Sequence, residues 1–510
     1  MRAALIPALL LAAGCGDYEL TGAYYEDQGP PSDGDSLDGA ADTGGDGLPG
    51  ETEDVLFLRP VASPAYVFVA NELRDTITRV AVPALTVLTG PTGHRPAALE
   101  VSPDGRTAAV LAVGDDQIDL IDADSLAATA VAIRPDLNWM EMSPDGRWVI
   151  AWHDEDADDS DPDDGARSYN ELSVVDLSTG AHWPMVVGFN PRSVQFTPDS
   201  STAVVVSDGY LARIDLTAEV PSPERFAISE DLVDPPVAEE VVLTPDGRFA
   251  FVRQLDASDL VLVELETGAV DRLPVGASLT DLDLTPDGLQ AVAVARAASQ
   301  LWIFDTADPW ADAKVLALPP TAVLGSVVLS PDGARGLLYS TVSGLSRMAS
   351  WERDTDEIVE YGLAKPVRQV QVSPDGGTAL VLHTQENGTE VDSSSPFWGR
   401  WALTMVDLDD FFANPLLLAG EPLDLAHTED GSLGFLVMED QPWLEVLHYD
   451  SLLFDELALA SVPEHVGVLP DGDTAWVSQE HPLGRISFYD PLDGAMQTLT
   501  GFELNAGIEH

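Results

Sequence analysis

Cysteine occurs once in 510 residues, at Cys15. That excludes an internal disulfide, a Cys-x-x-Cys redox or zinc pair, and haem attachment through Cys-x-x-Cys-His. Positive charge is scarce: Lys and Arg total 24 against 87 Asp and Glu, a net charge of −63. Such a balance argues against nucleic acid or an anionic lipid surface as partner. The nine histidines form no His-x-His or His-Glu-x-x-His spacing, no Gly-x-Ser-x-Gly elbow occurs, and no glycine-rich loop precedes a helix. What is present points to a packed body, because 45% of the residues are hydrophobic and 11 are Trp. The acidity therefore reads as a dense solvated surface on a globular protein.

Arg2 followed by the apolar run Ala3 to Ala13 has the form of a secretory signal and is too short to span a membrane permanently. The run ends Leu11-Ala12-Ala13-Gly14-Cys15, which resembles the lipobox of bacterial lipoproteins, with Ala12 where leucine is commonest. The resemblance implies cleavage before Cys15 and acylation there, hence a lipid-anchored protein of the bacterial cell envelope, periplasmic or surface-exposed. Several acyl chains together anchor a protein stably. Residues 16–54 carry 12 acidic residues and no basic one among Gly, Pro, Ser and Thr. A segment of that composition cannot bury enough apolar surface to fold and reads as an acidic tether.

The remaining chain, 55–510, is divided by variants of Val101-Ser102-Pro103-Asp104-Gly105. Serine opens a type I turn, proline presets the next φ, aspartate suits the third position and glycine supplies a left-handed residue, so each copy marks a hairpin tip. Copies centre on Pro103, Pro144, Pro198, Pro245, Pro286, Pro331, Pro374 and Pro470, with a degenerate one at Thr428-Glu429-Asp430-Gly431. Their intervals are 41, 54, 47, 41, 45, 43, 55 and 41 residues. Between tips lie four short runs of strand character, the third usually closing on an acid such as Asp176 or Asp215, which suits capping of the following turn.

Four antiparallel strands per unit at this period predict an all-β fold: a single large β-propeller of four-stranded blades. The run Ala65 to Asn71, then Thr76 to Val82, Gly93-His94-Arg95-Pro96 and the tip at Ser102, resembles the YVTN-type β-propeller repeats of bacterial and archaeal surface proteins. Nine tips plus the unit begun at Ala65 count ten blades; eight or nine result if units diverge into a side element. The C-terminal run Gly501 to Ile508 matches the approach to an innermost strand in Gly188 to Val194 and is expected to close the ring by pairing with the blade begun at Ala65.

In such a blade, with strands A to D running outward, the A–B tips lie on one face and the B–C and D–A loops surround the opposite mouth, where a ligand is expected. Scarce basic residues recur in the D–A loops: His94, Arg95, Arg134, Arg192, Lys365 and Arg368. They suit an anionic ligand or carboxylate, or they neutralise neighbouring Asp and Glu. An inserted B–C loop from His153 to Gly165 spaces Asp159, Asp161 and Asp163 near a calcium-loop pattern, although the glycine falls one residue late and no bidentate Glu follows. Calcium is the one cofactor this raises. A second inserted loop, His383 to Trp401, ends in Phe397-Trp398-Gly399-Arg400-Trp401. Trp398, Arg400 and Trp401 suit a sugar, peptide or protein partner, or staple their own loop to neighbouring blades. Polar residues on the innermost strands (Glu100, Glu141, Gln195, Asp283, Gln371) line the axis, and His153 and His383 end corresponding strands.

The sequence thus leads to a membrane-anchored, monomeric propeller that binds an envelope protein, peptide or glycan at the mouth. Two alternatives stay open. One is a lactonase-like or dehydrogenase-subunit-like enzyme at the same mouth, and the other is a structural coat or adhesin protein.

Overall fold

The computed structural model describes residues 58–154, 169–233, 235–255, 257–388, 393–470 and 472–502. The signal, Cys15 and the acidic tether lie outside them. Forty short strands form ten separate four-stranded antiparallel sheets, each made of four consecutive strands hydrogen-bonded in chain order. We number them blades 1 to 10: 61–91, 96–132, 139–186, 189–227, 238–274, 281–317, 326–362, 367–417, 422–458 and 463–500. Within a blade the strands are A to D, and the A strands of successive blades approach one another around the axis.

The reason for closure is visible in the packing. A blade buries little of itself, since both its faces need a neighbour. Ten apolar clusters supply this, one per boundary; Trp148, Val174, Val205 and Ile214 belong to the one between blades 3 and 4. The last joins the two ends of the chain, setting Val67, Val69 and Val80 of blade 1 against Trp476, Ile486, Phe488 and Phe502. A ring of blades so sealed has no open face.

Closure differs from the expected strand exchange. The innermost strand of blade 1 is Val61–Ala62, paired with Phe68 and Val67, so residues just before Ala65 take the place assigned to the C-terminus. A hairpin across Ser63-Pro64 closes a far smaller loop than a chain end some 440 residues away, and loop-closure entropy favours it. Phe502 still reaches the seam, but as a packed side chain; residues 503–510 lie outside the described residues. A polar knot reinforces the seam. The Asp424 carboxylate, on strand A of blade 9, accepts from the Val466 amide of blade 10 at 3.0 Å and from Arg59, beside blade 1, at 3.2 Å.

The tips have the expected chemistry. Ser102 Oγ donates to Asp104 Oδ1 at 2.7 Å and accepts from the Thr107 amide at 3.0 Å, while Gly105 takes a φ of 67°. The same pattern recurs at Ser143, Thr244, Thr285, Ser330 and Ser373. The acid closing strand C caps its turn, as where Asp122 Oδ1 accepts from the Ser125 amide at 2.9 Å.

The tips also touch one another. A Cβ on Gly146 would come within 2.8 Å of Pro103 in the preceding tip, and one on Gly288 within 2.4 Å of Pro245. Proline and glycine of consecutive copies nest in this way at blades 3, 6, 7 and 8, whereas Gly247 meets Thr197 and Gly431 meets Asp375.

Candidate functional site

Strand A runs from the D–A loops to a tip, so the loops with the candidate residues share the face opposite the tips. There the D–A arginines meet carboxylates. Arg192 Nε lies 2.8 Å from Asp208, Arg368 2.7 Å from Glu421, and Arg134 pairs with Glu171. His94 Nδ1 is 2.9 Å from Asp75, and the exposed Arg95 is 3.9 Å from Glu72. Each of these five thus has an acid as neighbour, the neutralising arrangement. Lys365 differs, for its side chain is wholly buried and its ammonium donates to the carbonyls of Gln385 at 3.1 Å and Phe397 at 3.0 Å. Burial pushes that amine below the ordinary lysine range.

Those carbonyls belong to the two limbs of the inserted loop in blade 8. Gly399 donates its amide to Asn387 Oδ1 at 2.6 Å, Arg368 lies over the Trp401 ring at 5.7 Å, and Trp401 packs on the cluster between blades 8 and 9. Trp401 staples the loop; Trp398 is 44% exposed and Arg400 is exposed beside it. The other inserted loop belongs to blade 3, five blades away. Asp159, Asp161 and Asp163 lie outside the described residues. Its flanks carry an aromatic run: His153 meets Tyr169 edge-on at 5.4 Å, and Tyr169 stacks at 5.8 Å on Phe189, which is 57% exposed.

His383, at the end of the corresponding strand, has both ring nitrogens engaged. Its Nδ1 bonds the Pro366 carbonyl at 3.1 Å, its Nε2 bonds Thr404 Oγ1 at 2.7 Å, and burial lowers its pKa to about 4. It is a neutral core histidine. Among the described residues no three His, Cys, Asp or Glu side chains come together in a way that could hold a metal ion.

On the innermost strands, Gln195 Nε2 donates to the Val241 carbonyl of the next blade at 2.5 Å, and Gln371 Oε1 bonds His427 Nε2 at 2.9 Å. Glu100 and Glu141 are half-buried. Asp283 belongs to an acidic group that the sequence reading did not assemble. Burial, then Glu240, raises its pKa to about 7, and Asp281 next to it is raised well above the carboxylate range by burial, Glu240 and Asp283. Arg253 Nε holds Glu240 at 2.7 Å, and Asp281 Oδ2 accepts from the Val327 amide of blade 7 at 2.5 Å. Glu240 escaped notice because a bulge between Ala238 and Glu240 shifts the strand's alternation.

Two cavities open on the tip face. One, of about 320 Å³, lies between blades 1 and 2 and is lined by Ser63, Pro64, Tyr66, Asp104, Asp122 and Asp124 among others. The other, of about 360 Å³, lies between blades 9 and 10. Both sit where a tip departs from the repeat: Ser63-Pro64-Ala65 is shortened, and Thr428-Glu429-Asp430-Gly431 lacks the proline. Those departures were legible, and only the neighbour's view of them was not.

No family model matches the chain, and no curated protein is significantly similar. Among solved structures, a eukaryotic initiation factor is similar over 78% of this chain and 96% of its own, at 12% identity and a TM-score of 0.51. The dihydro-heme d1 dehydrogenase NirN in complex with DHE is similar over 72% of this chain and 75% of its own, at 18% identity and a TM-score of 0.44. Hydrazine synthase from Kuenenia stuttgartiensis is similar over 62% of this chain and 98% of its own, at 17% identity and a TM-score of 0.32. At these identities the likeness concerns the fold.

Proposed function

We propose that this protein is an extracytoplasmic binding or scaffold module of the YVTN-repeat kind, lipid-anchored through Cys15, that takes an envelope protein, peptide or glycan at the mouth of its ring. The observation that supports this reading most is the placement of the two inserted loops. They are inserted in blades 3 and 8, across the ring from each other, and the described residues beside each offer an exposed aromatic face, Phe189 on one side and Trp398 on the other. Aromatic anchors in such a setting carry most of the energy of recognition.

Two measurements test the proposal. Cys15→Ser should move the protein from the membrane to the soluble fraction and abolish acyl labelling; retention on the membrane would overturn the anchor. Cross-linking in intact envelopes should give a specific adduct that Phe189→Ala with Trp398→Ala abolishes, whereas an adduct indifferent to both would overturn binding at the mouth.

A further inference from the structure

We propose that the cleft between blades 9 and 10 on the tip face is a second binding site, one that receives an arginine side chain from a peptide or protein partner. It lies at a tip where the preceding copy has no proline to receive the glycine. In blades 3, 6, 7 and 8 the tip glycine faces the proline of the preceding tip. Blade 9 has Glu429 in place of proline, and among the described residues a Cβ on Gly472 of blade 10 would meet only its own Leu469 carbonyl within 4 Å. The space left open is lined by Asp430, Leu433, His448, Asp473, Tyr489 and Leu492.

Elsewhere on this face arginine side chains lie on aromatic rings. Arg147, directly after its tip glycine, lies over the Trp148 ring at 4.6 Å and bonds Asp176 at 2.8 Å. Arg335 lies over Phe411 at 5.1 Å and bonds Glu352 at 2.6 Å. Arg248 covers Phe249 at 4.8 Å, and Arg79 covers Tyr66 at 4.5 Å. All four place a guanidinium on an aromatic face, and Arg147, Arg335 and Arg79 also have an oxygen acceptor beside it, an arrangement suited to arginine's flat, delocalised charge. At blades 9 and 10 the ring and the acids are present and the arginine is not. The position after the glycine, arginine in blades 2, 3 and 5, is Asp473 here.

His448 is engaged, its Nε2 lying 3.1 Å from Asp455, while the acids and the ring that would meet the guanidinium keep open groups among the described residues. Asp473 makes no ion pair, and the Tyr489 hydroxyl makes no hydrogen bond. Asp430 spends one oxygen on Thr428 and Ser432, leaving Oδ2 open. Tyr489 is held by an edge contact with Phe435 at 6.1 Å, which fixes the ring as a platform. Leu433 and Leu492, the latter 85% exposed, offer apolar surface for the aliphatic stem.

The test uses the full chain and the tripeptide acetyl-Gly-Arg-Gly-amide, with its citrulline analogue as the uncharged isostere. Calorimetry in about 1 M NaCl, where screening confines attraction to roughly 3 Å, suppresses diffuse binding to so acidic a protein. One saturable site for the arginine peptide is expected, weakened about tenfold by Asp473→Asn and by Tyr489→Leu. Glu429→Pro, which restores the repeat's proline, should narrow the cleft and weaken binding likewise. Asp308→Asn, an exposed change of equal charge on blade 6, should leave it unaltered. Equal binding of the citrulline peptide, equal losses in Asp473→Asn and Asp308→Asn, or no saturable binding would each overturn the proposal.

Discussion

A glycine in a tip is asked for two things at once: a left-handed backbone and the absence of a side chain against the neighbouring blade. The chain allows these demands to be separated. Gly288 has a φ of 69° and faces Pro245 at 2.4 Å, whereas Gly494 also has a φ of 69° and has nothing within 4 Å of a Cβ. Alanine at either pays the conformational cost of about 1 kcal/mol, but only Gly288→Ala must also displace a proline. Thermal unfolding should show Gly288→Ala losing on the order of 1–3 kcal/mol more than Gly494→Ala; equal losses would mean the nested tips carry no stability. The motif itself was legible in sequence because a turn is a local matter. Its second duty was not, since the proline that meets Gly288 lies 43 residues earlier in the chain.

Single buried acids bring a different sensitivity. Glu445, 1% exposed in the third strand of blade 9, has an Oε2 without a partner, and burial followed by Glu456 raises its pKa to about 8. The folded chain holds this proton at a pH where an unfolded glutamate has released it. Its stabilising share is therefore complete below the ordinary glutamate range and is lost as pH rises toward 8. His383 has the opposite sign: its share is complete above the ordinary histidine range and is lost as pH falls toward 4. Glu445→Gln should accordingly gain in melting temperature over the wild type as pH goes from about 5 to 8, and a constant difference would refute the assignment.

At the scale of elements, the order of four strands per blade could be read from alternation and turn residues, and it is what the sheets show. What escaped was an element too short to have a pattern. Val61–Ala62 is two residues long, and Ser63-Pro64 lacks the Asp-Gly half that marks a tip in sequence. The inserted loop of blade 8 is another case, for its aromatics were evident while its fastening was not. Lys365 lies on the D–A loop and the loop's two limbs come to it. Lys365→Met fills the same space without the ammonium, leaving two carbonyls unmatched at a cost of about 1–3 kcal/mol. Hydrogen exchange should quicken at the Gly399 amide while the strands of blade 3 keep their protection; unchanged exchange would show that Trp401 holds the loop alone.

At the scale of the whole molecule, stability depends on ten boundaries being filled, including the one no covalent chain crosses. Phe488 in that seam is 4% exposed, and Phe488→Ala should cost about 3–5 kcal/mol and make blades 1 and 10 the first to become protease-sensitive on warming. Cleavage starting elsewhere would place the weak point at another boundary. Asp424→Asn would test the same seam through its polar knot, with a smaller loss and the same direction. Blade number was countable because each repeat announces itself with a tip, whereas the means of closure depended on a competition between two chain ends that only three dimensions decide.

The chain joins the ring at Leu58, whose amide bonds the Ala70 carbonyl at 3.0 Å near the loop end of blade 1, and it then runs through Val61–Ala62 toward the tips. Everything ahead of Leu58 is consequently attached on the loop side. Were the chain anchored through that segment, as proposed, the mouth with Phe189 and Trp398 would face the anchor and the tips would face away from it. Partners approaching from the open side would thus meet the tips first, and with them the cleft at Tyr489.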